Sequence, residues 1–183
     1  MLKGYEQDKA ANAPQPKYRC LVWACPAHYY TNFTYWTQHC WGVTCVNDME
    51  AMLSYLPITI GDKEQALADL VRCYEKMMMR SHTNGGYVNL LDECWKMCEK
   101  FHTNIVIMYD HVSCKNVGGL HGLFEDQARE RGIHLIWIPH DVMDPRTVSR
   151  REMREAFSQY MVTVLNEKPL DPTLLDYEDA LSW

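Results

Sequence analysis

The sequence predicts an α/β protein with a parallel sheet covered by helices on both faces, Rossmann-like or flavodoxin-like in layout. Three observations predict it. Two short runs, "NIVIMYD" (104–110) and "HLIWIPH" (134–140), are almost continuously apolar, as strands are when helices cover both sides of a sheet. Helical patterns, "LHGLFEDQARERG" and "VSRREMREAFSQYMVTVL", follow each of them, so the two element types alternate. Gly132 stands between the first of these helices and the second strand, where a helix C-terminal glycine belongs.

The remaining elements follow in order. Residues 1–17, polar with Pro14 and Pro16, read as a linker or leader ahead of an α/β domain over 18–165. "YRCLVWAC" (18–25) is the first strand. "TNFTYWTQHCWG" predicts a short helix capped by Thr31 or Asn32 and stopped near Gly42, and "VTCV" a brief second strand. "NDMEAMLSYLP" offers Asn47 as an N-cap, with Glu50 three residues on and Pro57 ending the run. "GDKEQALADLVRCYEKMMMRSHTNGG" predicts a longer helix starting near Asp62, with Leu67, Leu70, Val71 and Tyr74 at helical spacing and Asn84-Gly85-Gly86 closing it. "YVNLLDECWKMCEKF" gives another, striped by Leu90, Leu91, Cys94, Trp95 and Cys98. The acidic, Pro-containing residues 166–183 are expected to wrap the surface as a tail.

Composition narrows the function. The chain has 183 residues, enough for one full domain, and 47% of them are hydrophobic, as in an ordinary globular protein. A net charge of -6 argues against a nucleic-acid partner, because binding a polyanion needs a basic face. No apolar run approaches the ~20 residues that cross a bilayer, and the start lacks the apolar core of a secretory signal, so a cytoplasmic protein without a membrane partner is expected. In that reducing compartment the eight cysteines are expected to be thiols or metal ligands, not disulfides. Neither G-x-G-x-x-G nor a P-loop is present, which disfavours classical NAD binding and Walker-type ATP hydrolysis; without C-x-x-C or H-E-x-x-H, a self-contained zinc or cluster site is not expected either.

Ligands of an open parallel sheet bind beyond the carboxyl ends of its strands. Three turns fall on that edge: "CPAHYYTN", "DHVSCKNVGG" and "HDVMDPRT". The middle turn carries the most chemistry. Cys114 lies near the start of the next helix, where free N–H groups favour a thiolate; Lys115 adds a positive charge, and Gly118-Gly119 lets backbone approach a ligand. Such a thiolate could be a nucleophile, a redox thiol or a metal ligand, and a semi-buried structural cysteine is an equal reading. Cys25 is the second thiol on the edge. Cys94 and Cys98 share a helix face, but an apolar one, so packing is expected of them. His140 and Asp141 could do acid–base work and Arg146 could bind an anion, against the plainer reading of a solvated, capped loop. "SRREMRE" reads as a solvated helix face with i, i+4 ion pairs.

The order of segments in "NIVIMYDHVSCKNVGGLHGLFEDQARERGIHLIWIPHD" and "RTVSRREMREAF" resembles the C-terminal part of the 2-hydroxyacyl-CoA dehydratase and benzoyl-CoA reductase family. The common pattern is an apolar strand, a turn with one Cys, a helix ending in an "RGI" turn, a strand, and an Arg-rich helix. "PKYRCLVWACPAHYYTNFTYWTQHCWGVTCVND" is similar to the preceding strand-helix-strand unit, and the wording "HVSCK" with "DPRTVSRR" looks closest to alpha subunits of the 2-hydroxyglutaryl-CoA dehydratases. The resemblance implies a 4Fe-4S cluster held by three cysteines, of which Cys114 matches the third, with Ser113, Lys115, Asn116, Gly118, Gly119 and His140 around cluster or substrate.

It further implies a lyase acting on a 2-hydroxyacyl-CoA. An ATP-dependent iron-sulfur activator protein injects one electron, and a ketyl radical anion expels the hydroxyl group to give the enoyl-CoA. A second dehydratase subunit completes the enzyme, and a flavin stays open as a further cofactor. Family subunits are about twice as long, with the other two cluster cysteines upstream of the matched part, so the chain is expected to be a C-terminal piece or a truncated product that is inactive alone. The alternatives are a benzoyl-CoA reductase-type subunit, a non-catalytic module docking a partner by its sheet edge or acidic tail, and a thiol enzyme using Cys114.

Overall fold

A computed structural model describes residues 7, 10–11, 16–50 and 56–176. Its elements are β1 (Tyr18–Trp23), α1 (Phe33–Trp41), β2 (Val43–Asp48), α2 (Lys63–Glu75), α3 (Met78–Phe101), β3 (Ile105–His111), α4 (Lys115–Gly119), α5 (His121–Arg131), β4 (His134–His140), α6 (Arg150–Thr163) and a final 3-10 turn, Pro172–Leu174. The four strands form one sheet in the order β2-β1-β3-β4, and every neighbouring pair is parallel. The expected α/β parallel sheet is therefore present, and its strand order is that of the flavodoxin-like layout.

Helices cover both faces. On one, Phe33 and Trp36 of α1 meet Phe157 of α6 with ring centroids 5.8 and 5.7 Å apart. On the other, Trp95 of α3 meets Phe124 of α5 at 5.7 Å, and its Nε1 donates to Gln127 at 2.6 Å. Between them, Cys20–Trp23 of β1 and Ile105–Met108 of β3 are fully buried, which is why these stretches lack the alternation of a half-exposed strand. Each large apolar side chain so enclosed contributes roughly 1.5–3 kcal/mol.

The C-terminal glycines stand where the sequence puts them, whereas Asn32, expected to cap α1, holds the N-cap position without a side-chain hydrogen bond. Gly42 (φ 70°) and Gly132 (φ 65°) end α1 and α5 in the left-handed conformation that glycine adopts without a Cβ clash. Asp62 caps α2 by accepting from the Gln65 N–H, and Ser149 opens α6 with a reciprocal capping box to Glu152. The chain after α6 lies against α1, where the Leu170 N–H donates to the Cys40 carbonyl at 2.7 Å and Trp36 Nε1 to the Leu174 carbonyl at 2.9 Å.

The structure corrects four readings. Asn47 is not a helix N-cap: it stays in β2, opposite Leu21, and the rest of the helix expected there, 51–55, lies outside the described residues. The long helix over 61–86 is two: α2 ends at Glu75, α3 starts at Met78, and Gly86 (φ 72°) kinks α3 instead of closing it. The apolar positions of α2 face solvent, with Leu67, Leu70, Val71 and Tyr74 between 50% and 65% exposed. Within "SRREMRE", Arg151 and Glu155 do form the expected i, i+4 pair at 2.9 Å, but Arg154 is buried and donates to the Tyr30 hydroxyl at 3.1 Å.

Candidate functional site

Strand order reverses between β1 and β3, so the crevice expected to take ligands opens beyond their carboxyl ends. A cavity of about 200 Å³ lies there, and its walls include Trp23, Cys25, His82, Tyr109, His111 and Cys114. Met49, Leu90, Val117 and Val142 make the rest of the wall largely apolar. A wider groove of about 580 Å³, lined by Asp92, Lys96, Glu99, His102 and Arg131, lies at the opposite, amino-terminal ends of β3 and β4, away from this crevice.

Backbone geometry delivers each thiol to the cavity. Directly after β1, Ala24 adopts φ 66°, a left-handed conformation that costs an L-residue about 1–2 kcal/mol and turns the chain out of the strand. Cys25 follows. After β3 the chain turns tightly, with the Cys114 N–H donating to the His111 carbonyl at 2.8 Å, and Cys114 becomes the half-buried N-cap of the short α4.

The other residues singled out in the sequence occupy distinct settings. Asn116 lines the cavity. Ser113 and Lys115 are exposed, and the Ser113 N–H donates to His111 Nδ1 at 2.9 Å. Gly118 and Gly119 belong to α4; a Cβ on Gly118 would come no nearer than 3.8 Å to Asp110, and one on Gly119 would meet nothing within 4 Å. His140 is fully buried against Tyr109 and His111, at ring distances of 5.1 and 5.5 Å. Burial first and the neighbouring His111 second push its pKa down, although the backbone of Cys25, Asp110 and Ile138 favours the proton. Arg146 is bound by Asp144 through contacts of 2.7 to 3.1 Å, which hold that carboxyl at about 2, and Asp141 accepts the Met143 and Asp144 N–H groups. The loop is ion-paired and turned on itself, and the cap of the helix that follows is Ser149 and not Asp141.

Cys94 and Cys98 are buried in the core, as expected from their stripe. Cys20 and Cys45 face each other across β1 and β2. Cys25 has different company: its Sγ lies 3.9 Å from His28 Nε2, and with Glu50 the three residues bring one potential ligand atom each within 4.8 Å of one another. Burial, followed by the Glu50 and Asp48 charges, pushes the Cys25 thiol up to about 12. The group could hold a metal ion.

A family model described as 2-hydroxyglutaryl-CoA dehydratase, D-component, matches residues 1–161 of the chain. The chain belongs to this family. As a member of the 2-hydroxyglutaryl-CoA dehydratase D-component family, it is a component of a 2-hydroxyacyl-CoA dehydratase, and the activity that the family implies is that of a lyase. No curated protein matches the chain. No helix among the described residues is long and apolar enough to cross a membrane.

In the sequence Glu50 reads only as a capping partner of Asn47, and His28, His82, Tyr109 and His111 stand outside the candidate site residues. The spacing of Cys25 and His28 in "CPAH" was a signal available in the first edge turn. Glu50 joins them only because β2 returns parallel to β1, which strand order and not spacing determines.

Proposed function

We propose that this chain supplies Cys114 as one of three thiolate ligands to a 4Fe-4S cluster in a 2-hydroxyacyl-CoA dehydratase, with residues 18–165 forming the C-terminal domain of that subunit. The observation that carries the reading is the position of Cys114 on a sulfur-containing, largely apolar wall at the point of strand-order reversal. Thiolate in an apolar setting suits an iron-sulfur cluster better than it suits a hard, hydrated cation. When bound, the cluster supplies the single low-potential electron, received from an ATP-dependent activator protein, for radical elimination of water from the acyl-CoA.

The chain's own residues do the holding and the shielding. Cys114 would hold one corner of the cluster from just beyond a strand whose residues 105–109 are buried, so its thiol has a rigid base. Trp23, Met49, Val117 and Val142 keep water from the reacting acyl group. His140 stays neutral near pH 7, and so adds no charge behind the cavity.

The test is anaerobic assembly of the enzyme from the full subunit that contains this domain, wild-type or Cys114→Ser, with its partner subunit and activator. Expected is loss of cluster absorption and iron from this subunit, together with loss of turnover. Iron content and spectrum equal to wild type would overturn the ligand assignment.

The exposed apolar face of α2 favours one addition. A monomer gains nothing from exposing Leu67, Leu70, Val71 and Tyr74 on one helix. The second dehydratase subunit, which the word "component" in the family's description suggests, is the proposed occupant of this face.

A further inference from the structure

We propose that Cys25, His28 and Glu50 bind a mononuclear divalent ion of the zinc class, at a site separate from the cluster proposed on Cys114. The ligand atoms already converge: all three lie within 4.8 Å of one another, and Cys25 Sγ and His28 Nε2 are 3.9 Å apart. Tetrahedral bonds of about 2.3 Å to sulfur and about 2.0 Å to nitrogen put such a pair roughly 3.5 Å apart. A side-chain adjustment of a few tenths of an ångström closes that difference.

The scaffold holding the three groups comes from separate parts of the fold. Cys25 leaves β1 through the left-handed Ala24. The backbone N–H of His28 donates to the Val142 carbonyl at 2.9 Å, which ties it to the loop after β4. Glu50 sits in the turn after β2, where the Met49 N–H donates to the Val22 carbonyl at 3.0 Å and the Glu50 N–H to Asp48 Oδ1 at 2.7 Å. Strand order, not local sequence, thus makes the constellation.

Donor chemistry selects the ion. One sulfur, one imidazole nitrogen and one carboxylate oxygen form a mixed, borderline-soft set that suits Zn²⁺ and related first-row ions and not Mg²⁺ or Ca²⁺, which take oxygen ligands. Binding releases the Cys25 proton, and the thiolate and carboxylate together balance the two positive charges. Three protein ligands leave a fourth position for water, as catalytic and not structural zinc sites do. Cys25 also lines the cavity, so an oxygen atom of a bound ligand can take that position in place of water.

Cobalt(II) titration of the full chain, after treatment with a chelator, tests this without reference to turnover. The wild-type chain is expected to bind one equivalent, with a thiolate-to-cobalt charge-transfer band in the near-ultraviolet that Zn²⁺ displaces. Cys25→Ser abolishes the band. His28→Ala and Glu50→Gln, both at exposed positions that folding does not need, weaken binding about tenfold or more, the loss that removing even a supporting residue of a metal site causes. Cys114→Ser leaves the titration unchanged, which separates this site from the cluster reading. No bound cobalt, a band that survives Cys25→Ser, or one that disappears with Cys114→Ser would each overturn the proposal.

Discussion

Cys25 and Cys114 stand on the walls of one cavity, the first just beyond β1 and the second just beyond β3. The pairing arises because β1 and β3 are hydrogen-bonded neighbours, in register from Cys20 opposite Ile105 to Trp23 opposite Met108. Two thiols far apart in sequence therefore share a site, yet their surroundings differ. Cys25 faces an imidazole and a carboxylate, whereas Cys114 caps a short helix beside Asn116 and Val117.

Ala24 sets the aim of Cys25, and its φ of 66° inverts the usual ranking of side chains at a strand end. Ala24→Gly should be close to neutral, within about 0.5 kcal/mol, because relief of left-handed strain offsets the lost methyl and the freer unfolded chain. Ala24→Val should cost about 2 kcal/mol or more, since a β-branched residue is poorly accommodated there. Urea unfolding of the three proteins gives the order; a Val variant as stable as wild type would show that the strain is absent.

Phe157 joins α6 to α1 through its edge-to-face contacts with Phe33 and Trp36, and it is fully buried. Phe157→Ala should destabilise by about 3–5 kcal/mol, the usual cost of emptying an aromatic site in a core. The same change at exposed Tyr35 should cost less than about 0.5 kcal/mol. Denaturant midpoints at unchanged m-value are the measurement.

His82 and His140 make folding sensitive to mild acid. Both are buried, and both pKa values lie below the ordinary 6.5, chiefly through desolvation. The sign follows from which state takes up protons first. The unfolded chain protonates near 6.5 while the folded protein resists, so stability is full above that pH and falls as pH drops through it. His82→Phe, which keeps a ring against Trp23, should shrink the fall in Tm between about pH 7.5 and about pH 5.5. An unchanged pH slope would show that His82 takes no part.

How much of this was legible in the sequence depends on the range of the forces involved. The strands β3 and β4 and the ends of α1 and α5 are set by local apolarity and by Gly42 and Gly132, and they are found where the pattern puts them. Asn47 misled because its spacing to Glu50 imitates a capping box, while pairing with Leu21 holds it in β2. The burial of Arg154 and His140 was invisible for a related reason, since neither residue type announces which partner will cover it. Cys114 and Cys25 could be placed on one edge from the alternation of elements. That they share a cavity required the strand order, which the sequence left open between two layouts.

The face of α2 is the last feature with a measurable consequence. Its residues Leu70 and Tyr74 are 54% and 65% exposed, so they contribute little to the fold of the chain alone. Leu70→Glu and Tyr74→Glu should each change stability by less than about 0.5 kcal/mol. If the partner subunit covers this face, the same substitutions place a charge in a desolvated interface and should weaken assembly by about tenfold or more, at a cost of roughly 1–3 kcal/mol. Thermal melts of the isolated chain, with sedimentation of its mixture with the partner, separate the two effects. Intact assembly of the double variant would remove α2 as the docking face while leaving the role of Cys114 untouched, because α2 contributes no residue to the cavity wall.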